Sequence, residues 1–190
     1  MHHRLAERNA WFRKRNASGC FIARNGTRCG ALGAVKTLHI VGFKDSGKTT
    51  LVSHWITVLN RLGYEVAVLK HHGHGGAPEL PPAHTDTVQF LEFGAVSTLV
   101  AGGDMIQLIQ NKERSFEQLK ALAASSEPDV LLIEGYKKEA GEKVVLIRNE
   151  EERHELESLL GIVRTVKTAE LFEDITRLDD WLQEWVEARR

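Results

Sequence analysis

No stretch of this chain approaches the roughly 20 consecutive apolar residues needed to cross a bilayer, so an integral membrane protein is not expected. Cysteine is nearly absent. Cys20 and Cys29 both fall in the first thirty residues, at a spacing that matches no zinc template and suggests no disulfide framework. A reducing, cytoplasmic setting is the default that follows. Missing too are an internal repeat, a Ser/Gly-rich linker and the continuous apolar core of a secretory signal. Basic and aromatic residues are not interleaved in the acidic body, which argues against a nucleic-acid partner. At 190 residues with 42% hydrophobic content, the chain is long enough for one domain with a sizeable core.

Charge is unevenly spread. Residues 1–34 carry seven Lys/Arg against the single acid Glu7, a net +6 that leaves −7 on the rest. This basic N-terminal extension shows no convincing periodicity. It is expected to be disordered or foreign to the working protein, with the folded pattern beginning at Val35 and running through 35–190.

The most informative segment is Gly42-Phe43-Lys44-Asp45-Ser46-Gly47-Lys48-Thr49-Thr50, which fits the phosphate-binding loop pattern G-x-x-x-x-G-K-[ST]. It follows an apolar run, Leu38 to Val41, that reads as a strand. It opens a helical pattern in which Leu51, Val52, Trp55, Ile56 and Leu59 share a face. Glycines let the backbone turn its N–H groups inward, and the helix N-terminus adds positive potential where phosphates would sit. Lys48 would reach the β- and γ-phosphates and the Thr49 hydroxyl would hold Mg²⁺. Lys44, Asp45 and Ser46 complete the loop contacts expected for a nucleotide, with Asp45 facing either an attacking water or an opposing subunit.

Strand and helix patterns then alternate. Glu65 to Lys70 reads as a second strand, buried on one side at least, after a helix ended by Gly63. Two short strands, Ser97–Ala101 and Met105–Ile109, flank the turn Gly102-Gly103-Asp104. Ser115 and Gln118 form a capping-box pattern. Leu178, Trp181, Leu182, Trp185 and Val186 recur at helical spacing, a face that more often covers a core than meets a membrane. The alternation implies an α/β fold, a mostly parallel twisted sheet with helices on both faces.

A phosphate loop needs an acid at the end of a neighbouring strand to hold Mg²⁺. Val130-Leu131-Leu132-Ile133-Glu134 supplies Glu134. Asp129 lies about 16 Å away at the strand's other end and cannot share one metal with it. Lys70, with His71, His72 and His74 after it, lies at a strand's carboxyl end, where ligands bind in such folds. There Lys70 is expected to line the triphosphate site. Three histidines in four residues raise a metal site, though no nearby acid or cysteine completes a ligand set. Asp86-Thr87 would either reach the site or cap the following helix.

Four blocks in order (Gly42–Thr50, Lys70–Gly76, Asp86–Ala95 and Leu131–Lys138 leading to Val144–Arg148) resemble the MobB family of molybdopterin-guanine dinucleotide biosynthesis proteins. The resemblance covers about residues 36–166. It implies a small, homodimeric P-loop GTP-binding protein that assists the attachment of GMP to molybdopterin beside a partner guanylyltransferase. By that similarity Gly42, Gly47, Lys48, Thr49 and Thr50 take the phosphate and Mg²⁺ roles, with Glu134 the strand acid. Guanine preference rests on the resemblance alone. Asn111-Lys112-Glu113-Arg114 starts like a guanine-reading motif but ends in Arg, and Thr165-Val166-Lys167-Thr168 lacks the acid. A weak GTPase is the leading expectation. An adapter that needs no hydrolysis, a small P-loop kinase without its Arg-rich lid, and a nickel-insertion GTPase are the competitors.

Overall fold

The computed structural model describes residues 21–23, 26–28, 35–73 and 76–188. Of the basic extension, only the short strands β1 (Phe21–Ala23) and β2 (Gly26–Arg28) are described, paired antiparallel. The rest of that expectation lies outside the described residues, as does His74.

The central sheet holds β3 (Lys36–Gly42), β4 (Val66–Lys70), β7 (Val130–Glu134), β8 (Glu142–Ile147) and β9 (Ile162–Lys167), in the spatial order β4-β7-β3-β8-β9. Every neighbouring pair is parallel. Parallel strands covered on both faces read as near-continuous apolar runs. β7 is such a run, buried at all five positions. β4 is exposed more than its sequence suggests. It is an edge strand, and Val68 remains 40% exposed because little packs over that side.

Helix α1 (Lys48–Leu62) lays Leu51, Val52, Trp55 and Leu59 on one face of the sheet, and Gly63 caps its end. The same core takes Leu38, Ile40, Leu132, Val144 and Leu146 from the strands and Leu178, Leu182, Trp185 and Val186 from the C-terminal segment. The tryptophan-bearing helix α6 (Asp179–Glu187) therefore covers a core, as its pattern implies. Trp185 donates its Nε1 proton to Glu142 at 2.8 Å, and the Lys36 ammonium closes the helix end on the Trp185 and Ala188 carbonyls. On the opposite face, α4 (Glu150–Leu156) buries Leu156 against Val41, Val145 and Ile147.

Three elements lie between β4 and β7. Helix α2 (Asp86–Glu92) is followed by the antiparallel hairpin β5 (Ser97–Gly102) and β6 (Met105–Gln110), which forms its own two-stranded sheet. Then α3 (Phe116–Ala123) begins with the expected capping box, Ser115 accepting from the Gln118 N–H and Gln118 from the Ser115 N–H. Helix α5 (Thr168–Glu173) follows β9 directly.

The second face has a polar centre. His39 and Lys143 are each 1% exposed there. Lys143 donates to the carbonyls of Leu160 at 2.8 Å and Gly141 at 3.2 Å. His39 packs against the Phe116 ring at 5.8 Å, and its Nδ1 has no hydrogen-bond partner. Burial first, and the Lys143 charge second, hold its pKa down at about 4.

This buried imidazole has a pH consequence. Native His39 stays neutral, whereas the unfolded chain binds a proton below about pH 6.5. Stability should therefore fall as pH drops from 6.5 towards 4, by about 2 to 3 kcal/mol from this residue. Denaturant titrations at pH 7 and pH 4.5 should show the loss, with a smaller loss in His39→Gln. Equal losses in both proteins would exclude His39 as the cause.

Candidate functional site

The phosphate loop joins β3 to α1 where the helices following two adjacent strands leave on opposite faces, α1 after β3 and α4 after β8. Such a switch point at the strands' carboxyl ends is where open α/β sheets bind ligands. The turn is tight. A Cβ on Gly42 would lie 2.6 Å from the Ser46 hydroxyl and 2.7 Å from the Leu146 carbonyl, so glycine alone fits. Ser46 is fully buried, and its carbonyl accepts a 3.0 Å hydrogen bond from Thr168, the first residue of α5. No side chain caps the N-terminus of α1. Its first-turn N–H groups thus stay available to an anion.

Three side chains converge beside that turn. The Thr49 hydroxyl lies 3.0 and 3.1 Å from the two carboxylate oxygens of Glu134. Lys70 donates to Thr49 Oγ1 at 3.1 Å and pairs with Glu134 Oε1 at the same distance. Glu134 is only 7% exposed, so its charge needs a close cation. A hydroxyl and a carboxylate are hard oxygen donors of the kind Mg²⁺ takes. The Lys70 ammonium stands between them as a stand-in cation, so the donor set fits a magnesium ion.

Lys48 folds back over the loop, donating to the Phe43 carbonyl and, at 3.5 Å, to the Ser46 hydroxyl. Burial lowers its pKa, and the charges of Glu134 and Asp45 oppose that shift. Asp45 holds a left-handed backbone, φ 59°, and is exposed, as are Lys44 and Thr50. The structure therefore gathers Gly42, Ser46, Gly47, Lys48, Thr49, Lys70 and Glu134, and leaves Lys44, Asp45 and Thr50 on the rim.

Two residues around this loop, one exposed and one buried, have roles that the sequence patterns do not show. Arg148, at the end of β8, is tied to Glu152 by an ion pair and by a 2.6 Å bond from its Nε. That hydrogen bond raises the Arg148 pKa and lowers that of Glu152. Thr168, read only as part of a failed base motif, anchors the loop. For the first, the available signal was an arginine directly before an Asn-capped acidic helix, with Glu152 four residues on. None marked the second.

Asp129 binds the Glu65 N–H at 2.6 Å, far from Glu134. Asp86 sits in the first turn of α2, behind the N-cap Thr85. Among the described residues no group of three or more His, Cys, Asp or Glu is placed to hold a metal.

The family model of molybdopterin guanine dinucleotide synthesis protein B matches residues 37–167. A probable molybdopterin-guanine dinucleotide biosynthesis adapter protein of Bacillus subtilis is 36% identical over 125 residues, 66% of this chain and 70% of that protein. The molybdopterin-guanine dinucleotide biosynthesis adapter protein of Escherichia coli is 26% identical, covering 80% of this chain and 94% of its own length. Among solved structures, a MobB protein homolog from Bacillus stearothermophilus superposes with a TM-score of 0.62 at 30% identity, over 80% of this chain and 99% of that one. Bacillus subtilis MobB gives 0.63 at 28%, over 78% and 96%.

Since Lys70 neutralises Glu134, removing it should free the carboxylate for a divalent cation. Lys70→Met is expected to bind Mn²⁺ several-fold more tightly than the parent without nucleotide, measured by the free-ion paramagnetic signal. Unchanged affinity would show that the ammonium does not compete for that position.

Proposed function

This chain belongs to the MobB family, and on that premise we propose that it is a GTP-binding adapter of molybdopterin-guanine dinucleotide biosynthesis. One observation carries the nucleotide reading: Thr49 of the loop and Glu134 of the neighbouring strand β7 meet at 3.0 Å beside an uncapped helix N-terminus. In this reading the first-turn N–H groups of α1 and the Lys48 ammonium hold the phosphates. Thr49 and Glu134 hold the magnesium ion, which supplies charge neutralisation at the terminal phosphate when bound. Lys70, displaced from Glu134, turns its charge to the phosphates. Gly42 keeps the loop closed around them, with Lys44, Asp45, Ser46, Gly47 and Thr50 as its remaining contacts.

Hydrolysis, where it occurs, is slow. Among the described residues no arginine reaches over the loop as a finger would, and Arg148 is held by Glu152. The partner is a molybdenum cofactor guanylyltransferase, with molybdopterin as the shared substrate, and the setting is cytoplasmic. No helix among the described residues is long and apolar enough to cross a membrane.

The second copy of a homodimer is assigned to the β5–β6 hairpin. Leu99, Ile106 and Leu108 share one face of it and are 61%, 70% and 39% exposed. An isolated two-stranded hairpin is marginal in water, and a self-complementary apolar face is what a two-fold dimer uses.

Two measurements test this. A calorimetric panel with Mg²⁺ should show GTP bound at least tenfold more tightly than ATP, with both weakened in Glu134→Gln. Equal affinities would overturn the guanine assignment, and no binding of either would overturn the nucleotide site. Light scattering should report a dimer that Ile106→Glu converts to monomer. A dimer that survives the charge would move the interface elsewhere.

A further inference from the structure

The turn that follows Glu134 builds a cleft that the nucleotide reading leaves unused. It is a shallow, open depression of about 220 Å³ lined by His71, Tyr136, Lys137, Lys138 and Glu139. That is below the roughly 300–1,000 Å³ of pockets enclosing a drug-sized ligand, so it suits a terminal group of a larger molecule.

Its construction is costly. Gly135 approaches His71 so closely that a Cβ would lie 2.9 Å from the histidine Cβ. Tyr136 then adopts a left-handed backbone at φ 53°, a conformation that a bulky residue rarely holds. The result turns the Tyr136 ring edge-to-face with His71, at 4.8 Å between centroids. The His71 backbone is fixed from the other side, its N–H donating to the Glu134 carbonyl at 2.9 Å.

Neither lysine of the lining is paired with a carboxylate among the described residues. Lys137 lies over the ring of Phe43 at 5.0 Å rather than against a carboxylate, and Lys138 is exposed with no ion pair among the described residues. Glu139 is the one acid in the lining, so the cleft keeps a positive balance. Phe43 belongs to the phosphate loop, and Glu134 is three residues from Lys137. The cleft therefore opens beside the loop while its own side chains stay outside the phosphate-holding set.

We propose that this cleft is a second anion subsite, which takes a phosphomonoester carried on an aromatic ring of a ligand other than the nucleotide. Lys137 and Lys138 pair with the phosphate oxygens, the Tyr136 hydroxyl donates to one of them, and the His71 and Tyr136 rings flank the aromatic group. The proposal rests on the reading that the phosphate loop holds the nucleotide, which makes the cleft the adjoining site for a co-ligand.

Phenyl phosphate is the probe, titrated by calorimetry into the full chain loaded with Mg²⁺ and a non-hydrolysable GTP analogue. Inorganic phosphate is titrated in parallel. Lys48→Ala disables the loop, and Lys138→Met and Lys137→Met disable the cleft. Phenyl phosphate should bind the loaded protein and Lys48→Ala alike, and at least tenfold more weakly to either cleft variant. Inorganic phosphate should bind more weakly than phenyl phosphate. GTP-analogue affinity should stay within twofold in Lys138→Met. Loss of phenyl phosphate binding in Lys48→Ala, with none in the loaded protein, would assign it to the loop and overturn the cleft. Undiminished binding in both lysine variants would overturn it too, and equal affinity for inorganic phosphate would remove the aromatic requirement. Failure of the analogue to bind, with phenyl phosphate retained and sensitive to Lys138, would sink the nucleotide reading and leave the cleft standing.

Discussion

A buried carboxylate at the end of a parallel strand sets the terms for everything around it. Glu134 is in register with Ile40 on one neighbour and Lys70 on the other, so β4 and β7 end level and β3 runs two residues further. Two residues beyond Ile40 the chain enters the phosphate loop, which returns Thr49 to the carboxylate. Lys70 arrives directly across the ladder. A carboxylate this enclosed must be ion-paired and hydrogen-bonded to be tolerated, and both partners are delivered by sheet register rather than by loop flexibility. Shifting β7 by one residue would turn Glu134 to the other face and separate all three groups.

The loop itself is held by its neighbours more than by its own bonds. Within it, the bond from the Ser46 N–H to the Phe43 carbonyl is long, 3.4 Å. The stronger restraint comes from Thr168, whose hydroxyl reaches the buried Ser46 carbonyl from the start of α5, and from the Leu146 carbonyl behind Gly42. β8 and β9 thus carry the loop from one side while β7 and β4 supply its charges from the other. Lys48 rests on loop atoms and Lys70 on Glu134, so both ammonium groups are partnered without any ligand. Anion binding must exchange those partners for phosphate oxygens, which lowers net affinity but keeps the empty site from collapsing.

Local chemistry was readable in the sequence where it depended on contiguous residues. The strand, turn and helix around Gly42, the strand-terminal Glu134, the capping box at Ser115 and the apolar stripe of α6 are all patterns within a dozen residues. What depended on lateral order was not readable. The sequence places Lys70 at a strand end, but only the β4-β7-β3 order puts that end beside Glu134. That order also makes β4 an edge strand, which explains why its apolar residues stay half-exposed. The β5 and β6 patterns resemble those of sheet strands, and their separation into an independent hairpin is a tertiary fact. Thr168 escaped notice because a threonine at a helix start ordinarily caps its own helix, whereas here it serves a loop 122 residues earlier.

The second face of the sheet shows why the turn after Glu134 can be strained and still be well positioned. Beneath it a chain of rings runs from His39 to Phe116 at 5.8 Å, to Tyr136 at 4.9 Å and to His71 at 4.8 Å. Offset ring pairs of this kind contribute about 0.5–1.5 kcal/mol each beyond area burial. The two pairs that touch the Tyr136 ring offset part of the conformational cost there. Placing a neutral histidine at the base of this stack lets a group with an aromatic body fill the sheet centre without a charge to compensate. Lys143 beside it is held by the Leu160 and Gly141 carbonyls, so the polar centre fixes the far end of the same turn. The two ends of residues 135–141 are thereby pinned by different physics, ring packing near Glu134 and carbonyl–ammonium bonds near Glu142. Between the pins, Lys137 lies over the Phe43 ring of the phosphate loop and Lys138 is exposed to solvent.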